Sequence, residues 1–340
     1  MGSKALGVYR ALSKLPLPPL SKFRMIQMLR NGAFTLKSTK GAPKRKASLI
    51  MSNEGYGHEY WLKKYSGFKG DIAAQIEHGV YFGGNTSPEV NPLFTEHEIG
   101  AFITYGPYRE KHLSSVYPDH AIYAIGPYIQ YANTDQEYLD SLRDIIDSAK
   151  KTLTLFPSHS VRDGCVRFCH EELAESVKDI AENEGYGNII VCLSPMDHAS
   201  SLANFYESQG FVVVSCGEDS LRFLSKQRAI MEASDLTVSN DVGTHIGYSL
   251  AMGVPHFVIN PISVEEKVKG NCVAPGADLG LFRKEHDEIV EAFSDSGCLA
   301  SISSAQKRIY DYYWGGLVKL SPEEMRTMLE KLDRPKSAMP

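Results

Sequence analysis

The sequence predicts an α/β protein with two doubly wound domains that face a cleft. Three observations point there. Short apolar runs alternate with segments of helical periodicity along most of the chain. Several of those runs stop at glycine-containing polar loops, as parallel strands do when their C-terminal ends gather on one edge. The chain has 340 residues, 43% hydrophobic and 23% charged, which suffices for two globular domains of ordinary size.

Taken in order, Ser48 to Met51 is predicted to open the first sheet. The loop Ser52-Asn53-Glu54-Gly55-Tyr56-Gly57 follows, then a helix from His58 to about Tyr65. Ile72 to Ile76 is predicted as the next strand and ends at Glu77-His78-Gly79. Phe102 to Thr104 and Ala121 to Ile125 follow, and each leads into a Gly-Pro-Tyr tripeptide. A helix over residues 135–150 is expected to link the domains. The second domain begins with strand Thr152 to Phe156 and the loop Pro157-Ser158-His159-Ser160. Leu173, Val177 and Ile180 mark one face of a helix from His170 to Ala181. Strands at Ile189 to Leu193, Phe211 to Ser215 and Leu236 to Val238 alternate with helices ending near Gln209 and Ala233. An aromatic helix from Ala305 to Trp314 and a capped one starting at Ser321-Pro322-Glu323-Glu324 complete the chain. The boundaries predicted are therefore a basic arm over 1–48, a first domain over 49–134, the linker over 135–150, a second domain over 151–304, and helices over 305–340 that return to the first domain.

The net charge of −5 conceals an asymmetry. Residues 1–48 contain eleven Lys or Arg and no Asp or Glu, while the remainder holds 25 basic and 41 acidic groups, a net of −16. Lys22 to Arg30, with Phe23, Ile26 and Leu29, has the pattern of a basic amphipathic helix. It is expected to associate with an anionic membrane surface. The acidic body and the lack of a recognition motif argue against a nucleic-acid partner. No apolar run approaches a membrane span and no secretory leader is visible. Six cysteines without a Cys-x-x-Cys pair read as reduced thiols. The expected location is cytoplasmic, peripheral to the inner membrane face. Cys165 and Cys169 are expected to lie near each other on a helix, without further ligands spaced for a metal.

The most informative stretch is Ser234 to Pro261. Leu236 to Val238 is a strand. Ile246, Leu250 and Val254 fall at helical spacing, Gly253 and Pro255 close that helix, and Phe257 to Ile259 is another strand. Ser239, Asn240, Gly243 and Thr244 lie between strand and helix. Unpaired N–H groups and hydroxyls there, with the positive end of the helix dipole, favour an anion. Ser234-Asp235, Ser239 and Gly243-Thr244, followed by Ala251-Met252-Gly253-Val254-Pro255, resemble the donor-binding unit of GT-B glycosyltransferases. The non-hydrolysing nucleotide-sugar 2-epimerases share that unit. The resemblance implies two Rossmann-like domains and a nucleotide-sugar donor whose phosphate sits on this helix. One departure is that Tyr248 stands where retaining members carry a glutamate.

Two loops of the first domain hold candidates for the base that an inverting transfer requires. Glu54 and His58 flank Gly55-Tyr56-Gly57, and the Gly-x-Gly-His order resembles inverting GT-B enzymes. Glu77 and His78 precede Gly79 and resemble motifs of capsule-type transferases. On the second domain, Ser158, His159, Ser160, Ser194, Ser239, Asn240, Gly243, Thr244 and His245 are expected to line the donor site, with Arg162 a further cation. No metal and no cofactor are expected, since the nucleotide sugar is itself a substrate. The function expected is transfer of a sugar to a hydroxyl of a surface glycan or a lipid-linked acceptor. A 2-epimerase and a non-catalytic nucleotide-sugar-binding protein are the alternatives. No Gly-x-Ser-x-Gly elbow supports a hydrolase.

Overall fold

The computed structural model describes residues 50–82, 99–159, 164–217, 220–259, 265–268, 271–273 and 283–333. The basic arm, Ser160 and Arg162 lie outside them. The first unit opens with 3-10 turns over Met51–Gly57, then α1 (His58–Ser66), β1 (Ala74–Ile76), β2 (Ala101–Thr104), α2 (Pro107–Val116), β3 (Ala121–Ala124) and a 3-10 turn over Tyr128–Tyr131. Helix α3 (Gln136–Arg143) leads to the second unit: β4 (Lys151–Phe156), β5 (Gly164–Arg167), α4 (His170–Glu184), β6 (Tyr186–Cys192), α5 (Pro195–His198), α6 (Ser201–Ser208), β7 (Val212–Val214), α7 (Ser220–Glu232), β8 (Leu236–Ser239), α8 (Thr244–Ala251) and β9 (His256–Val258). Strands β10 (Glu265–Val268) and β11 (Asn271–Val273), then α9 (Arg283–Phe293), α10 (Ser304–Tyr313) and α11 (Pro322–Lys331), end the described chain.

The fold class read from the sequence is the one observed, α/β with parallel sheets. In the first unit the order is β1-β2-β3, all parallel. In the second it is β7-β6-β4-β8-β9, also all parallel. That order reverses between β4 and β8, the switch point where the C-terminal edge of a doubly wound sheet carries its crevice. β4 and β8 are central, and Leu153, Leu155, Leu236 and Val238 are fully buried. A small antiparallel sheet joins β5, β10 and β11.

Three local expectations are corrected. The expected strand at Ser48 to Met51 is replaced, over its described end, by an extended Ile50 and 3-10 turns. The reason is Asn53, whose buried side-chain amide donates to the Ala74 carbonyl at 2.9 Å and accepts from the Ile76 N–H at 2.7 Å. One amide thus takes the ladder positions beside β1 that a strand would have filled. The helix expected over 135–150 stops at Arg143. Beyond it the Asn188 side chain donates to the carbonyls of Asp147 and Lys150 and accepts from the Asp147 N–H. Those bonds hold the backbone in a turn that competes with helix. Cys165 and Cys169 do not share a helix, because Cys165 is in β5 and Cys169 is the N-cap of α4.

The two units meet along a packed seam. The Trp61 indole donates to the Leu221 carbonyl at 3.1 Å, and the hydroxyls of Tyr105 and Tyr248 are 3.1 Å apart. Arg228 of α7 donates to the Ile129 carbonyl and the Thr134 hydroxyl. Helix α10 carries Trp314 at its end, against Gly247 of α8. Helix α11 packs on α1, and the Ala73 N–H donates to the Leu332 carbonyl at 2.9 Å. No helix among the described residues is long and apolar enough to cross a membrane.

Candidate active site at the seam

The loop after β8 and the start of α8 form the second unit's side of the site. Gly243 is the N-cap of α8, with extended backbone and no side-chain cap. A Cβ there would lie 2.7 Å from the His245 ring, so glycine at this position makes room for that imidazole. Among the described residues no partner engages the N–H groups of Thr244 and His245. The Asn240 side chain is buried. Its oxygen accepts from the Ser158 N–H at 2.8 Å, and its Nδ2 has no partner among the described residues. The loop after β4 and the loop after β8 are thereby tied together.

The first unit reaches this place through the loop after β1. The Val80 N–H donates to the Thr244 hydroxyl at 3.1 Å, and Gly79 approaches the same hydroxyl so closely that a Cβ would be 2.9 Å from it. Thr244 accepts there and keeps its own hydrogen to donate. His78, one residue before Gly79, is half-buried and lies against Tyr56, ring centroids 4.2 Å apart and planes tilted by 33°. Tyr56 stacks in turn on Phe223 of α7 at 4.0 Å. Its φ of 53° places a bulky residue in the left-handed region, an uncommon conformation that occurs at sites held by their surroundings. The only sequence cue to Tyr56 was its pair of flanking glycines. Burial, and then Cys216, push its phenol up.

Several predicted site residues have other work. Glu77 is buried. Arg109 donates to both of its oxygens, at 3.1 and 2.5 Å, and the Thr104 hydroxyl donates at 2.6 Å. A carboxylate so held is an anchor, which removes Glu77 from the candidate bases. The Ser239 hydroxyl donates to the Asp241 carbonyl and pairs with His256 Nε2 on β9, so both of its bonding positions are taken within the protein. Ser194 caps the short helix α5, exchanging bonds with Asp197. His58 is fully buried between Tyr128 and His78, with no partner at either ring nitrogen among the described residues. Burial, and then His78, hold its pKa well below the ordinary value. It is a neutral core imidazole. Glu54 and His159 are exposed, the first on the 3-10 segment and the second just beyond β4.

His245 carries no charge near neutral pH. Burial, partly opposed by Asp241, pushes it down to about 4. The Asp241 backbone carbonyl lies against its ring, and Nε2 is enclosed without a partner among the described residues. His245, expected to line the donor site, would do so as a neutral imidazole. The start of α8 presents backbone N–H groups and the positive end of the helix dipole. His256 is likewise held well below its usual value by burial, then by His245.

His286 of α9 donates to Asp241 across 3.2 Å, and Asp287 lies 3.5 Å from its other nitrogen. The bond to Asp241 raises its pKa. A group raised on folding stabilises the fold below its unfolded pKa of about 6.5 and loses that contribution as pH rises through the folded value. The melting temperature of the wild type should therefore exceed that of Asp241→Asn most near about pH 5.5 and least near about pH 8.5. A gap that stays constant across that range would contradict the pairing.

No group of three or more His, Cys, Asp or Glu among the described residues is arranged to hold a metal. No protein-family model matches the chain, and no curated protein matches it. Solved structures do. The ADP-heptose LPS heptosyltransferase II of E. coli matches over 37% of this chain and 38% of its own, at 16% identity and a TM-score of 0.27. The UDP-GlcNAc 2-epimerase of Neisseria meningitidis, bound to UDP-GlcNAc, matches over 72% of this chain and 63% of its own, at 13% identity and 0.35. Arabidopsis thaliana UGT89C1 matches over 96% of this chain and 71% of its own, at 12% identity and 0.32. The chain thus covers less than two thirds of the first two proteins. The fold assignment rests on the sheet order given above.

Proposed function

We propose that this chain is a glycosyltransferase of GT-B type. It binds a nucleotide-sugar donor with its phosphate on the start of α8 and moves the sugar, with inversion, to a hydroxyl of a surface glycan or lipid-linked acceptor. One observation carries the reading. The N–H groups of Thr244 and His245 and the hydroxyl hydrogen of Thr244, without partners among the described residues, lie where the Gly79–Val80 loop of the other unit touches α8, and the Asn240 amide nitrogen, also unpartnered among them, lies earlier in the same loop. Donors fixed in advance beside a helix N-terminus stabilise charge that develops on a leaving phosphate. With Glu77 held by Arg109 and His58 enclosed, His78 is the candidate nearest to this point, and it takes the proton from the acceptor hydroxyl. Residues 1–48 would keep the enzyme at an anionic membrane surface.

The test is a thermal-shift screen against UDP-, GDP-, CMP-, CDP- and dTDP-linked sugars, followed by turnover with the sugar that binds. A donor present at about 100 times its Kd should stabilise the fold by about 2.7 kcal/mol. Asn240→Ala should weaken that shift. His78→Ala should leave the shift in place and lower turnover by about 10²- to 10⁴-fold. Epimerised donor formed without acceptor would favour the 2-epimerase. Binding without turnover in the wild type would favour a carrier protein. No shift with any donor would defeat the reading.

A further inference from the structure

Among the described residues the first sheet ends on an open edge. β3 is last in the order β1-β2-β3, and its register pairs Ala121 with Ala101 through Ala124 with Thr104. The Ile125 N–H donates to the Thr104 carbonyl at 2.9 Å. Bonding residues alternate along a parallel strand, so Ala121 and Tyr123 also bond toward β2, while the N–H and C=O of Ile122 and Ala124 face outward. No strand among the described residues pairs with them. Edge strands are ordinarily blunted by charge, proline or a bulge, and Ala-Ile-Tyr-Ala has no charge and no proline.

Helix α11 stands opposite this edge. The two share a surface pocket of ≈ 380 Å³, with Tyr123, Ala124, Leu320 and Met328 among its apolar lining. Its charged lining is Glu323, Glu324 and Lys331, two carboxylates against one ammonium. One oxygen of Glu324 is used in the capping box with Ser321, whereas Glu323 is exposed. A row of outward backbone groups beside a helix is the geometry that receives an extended segment, with main-chain bonds for affinity and side-chain pockets for selectivity.

We propose that the groove between β3 and α11 docks an extended basic peptide segment of a partner. The segment adds to β3 as a fourth strand, lays an aliphatic side chain on Leu320 and Met328, and sets a Lys or Arg head against Glu323. The backbone groups of Ile122 and Ala124 require a strand rather than a small solute. The excess of carboxylate selects a basic one, since charge at an exposed rim contributes selectivity more than affinity.

The probe is fluorescein-labelled Lys-Val-Lys-Val-Lys-Val amide, titrated with the full chain and followed by anisotropy. Saturable binding with Kd on the order of 10 to 100 µM is expected. A Glu-for-Lys probe should bind about tenfold more weakly or worse. Glu323→Lys reverses the rim charge, and Thr327→Trp fills the pocket from an exposed position of α11. Each should weaken the basic probe by about tenfold with an unchanged melting temperature. Three results would overturn the proposal: equal affinity for both probes, no saturation up to about 1 mM, or doubling of the chain's mass on concentration with the probe excluded, which would give the edge to a second copy.

Discussion

Glu77→Ala is expected to lower the unfolding free energy by about 3–5 kcal/mol, because it leaves the Arg109 guanidinium buried without its counter-ion. Arg109 is fully buried and gives two of its donors to Glu77. The Thr104 hydroxyl gives a third. Replacing both charges by apolar groups would forfeit far less than removing one, since the cost lies in the orphaned charge rather than in the pair itself. Glu77→Ala/Arg109→Met should therefore recover much of the loss, and urea unfolding of the single and double variants measures it. Glu54→Ala changes an exposed carboxylate and should stay within about 0.5 kcal/mol of wild type. If Glu77→Ala unfolded at the wild-type midpoint while turnover vanished, Glu77 would be a base after all.

The contrast between these two glutamates shows what the sequence could and could not tell. Glu54 directly precedes Gly55 and Glu77 lies two residues before Gly79, both in loops after apolar runs, and local pattern made each a candidate base. Glu77 and Arg109 are 32 residues apart, and their pairing exists only once β1 and β2 lie side by side. The same holds for Ser239, whose hydroxyl is taken by His256 from the neighbouring strand. Asn53 replaces a strand with one side-chain amide, which no apolar periodicity can signal. By contrast, β4, β8, α8 and the Ser321–Glu324 capping box were legible, because each depends on residues within a few positions of one another. The approach of Thr244 to Gly79 and Val80 was half legible. Both loops were marked as strand-end loops of separate units, and only the seam brings them together.

The same seam gives the second large effect, at Trp314 and Gly247. Trp314 is fully buried at the end of α10, and a Cβ on Gly247 would sit 2.1 Å from its ring. Trp314→Ala empties that volume and should cost about 3–5 kcal/mol. Gly247→Ala alone forces the indole out of place, an overpacking that should cost about 1–3 kcal/mol or more. The two changes are coupled through one shared space, so they will not add. With the indole gone, the three atoms nearest the new methyl are removed and it fills part of the void. Alanine also favours the interior of α8 over glycine by about 1 kcal/mol. Gly247→Ala should thus destabilise the wild type and stabilise Trp314→Ala, and denaturant midpoints of the four proteins give both signs. A Gly247→Ala effect of the same sign in both backgrounds would mean that the indole does not rest on Gly247. The attachment of α10 to the helix that carries Thr244 and His245 would then need another explanation.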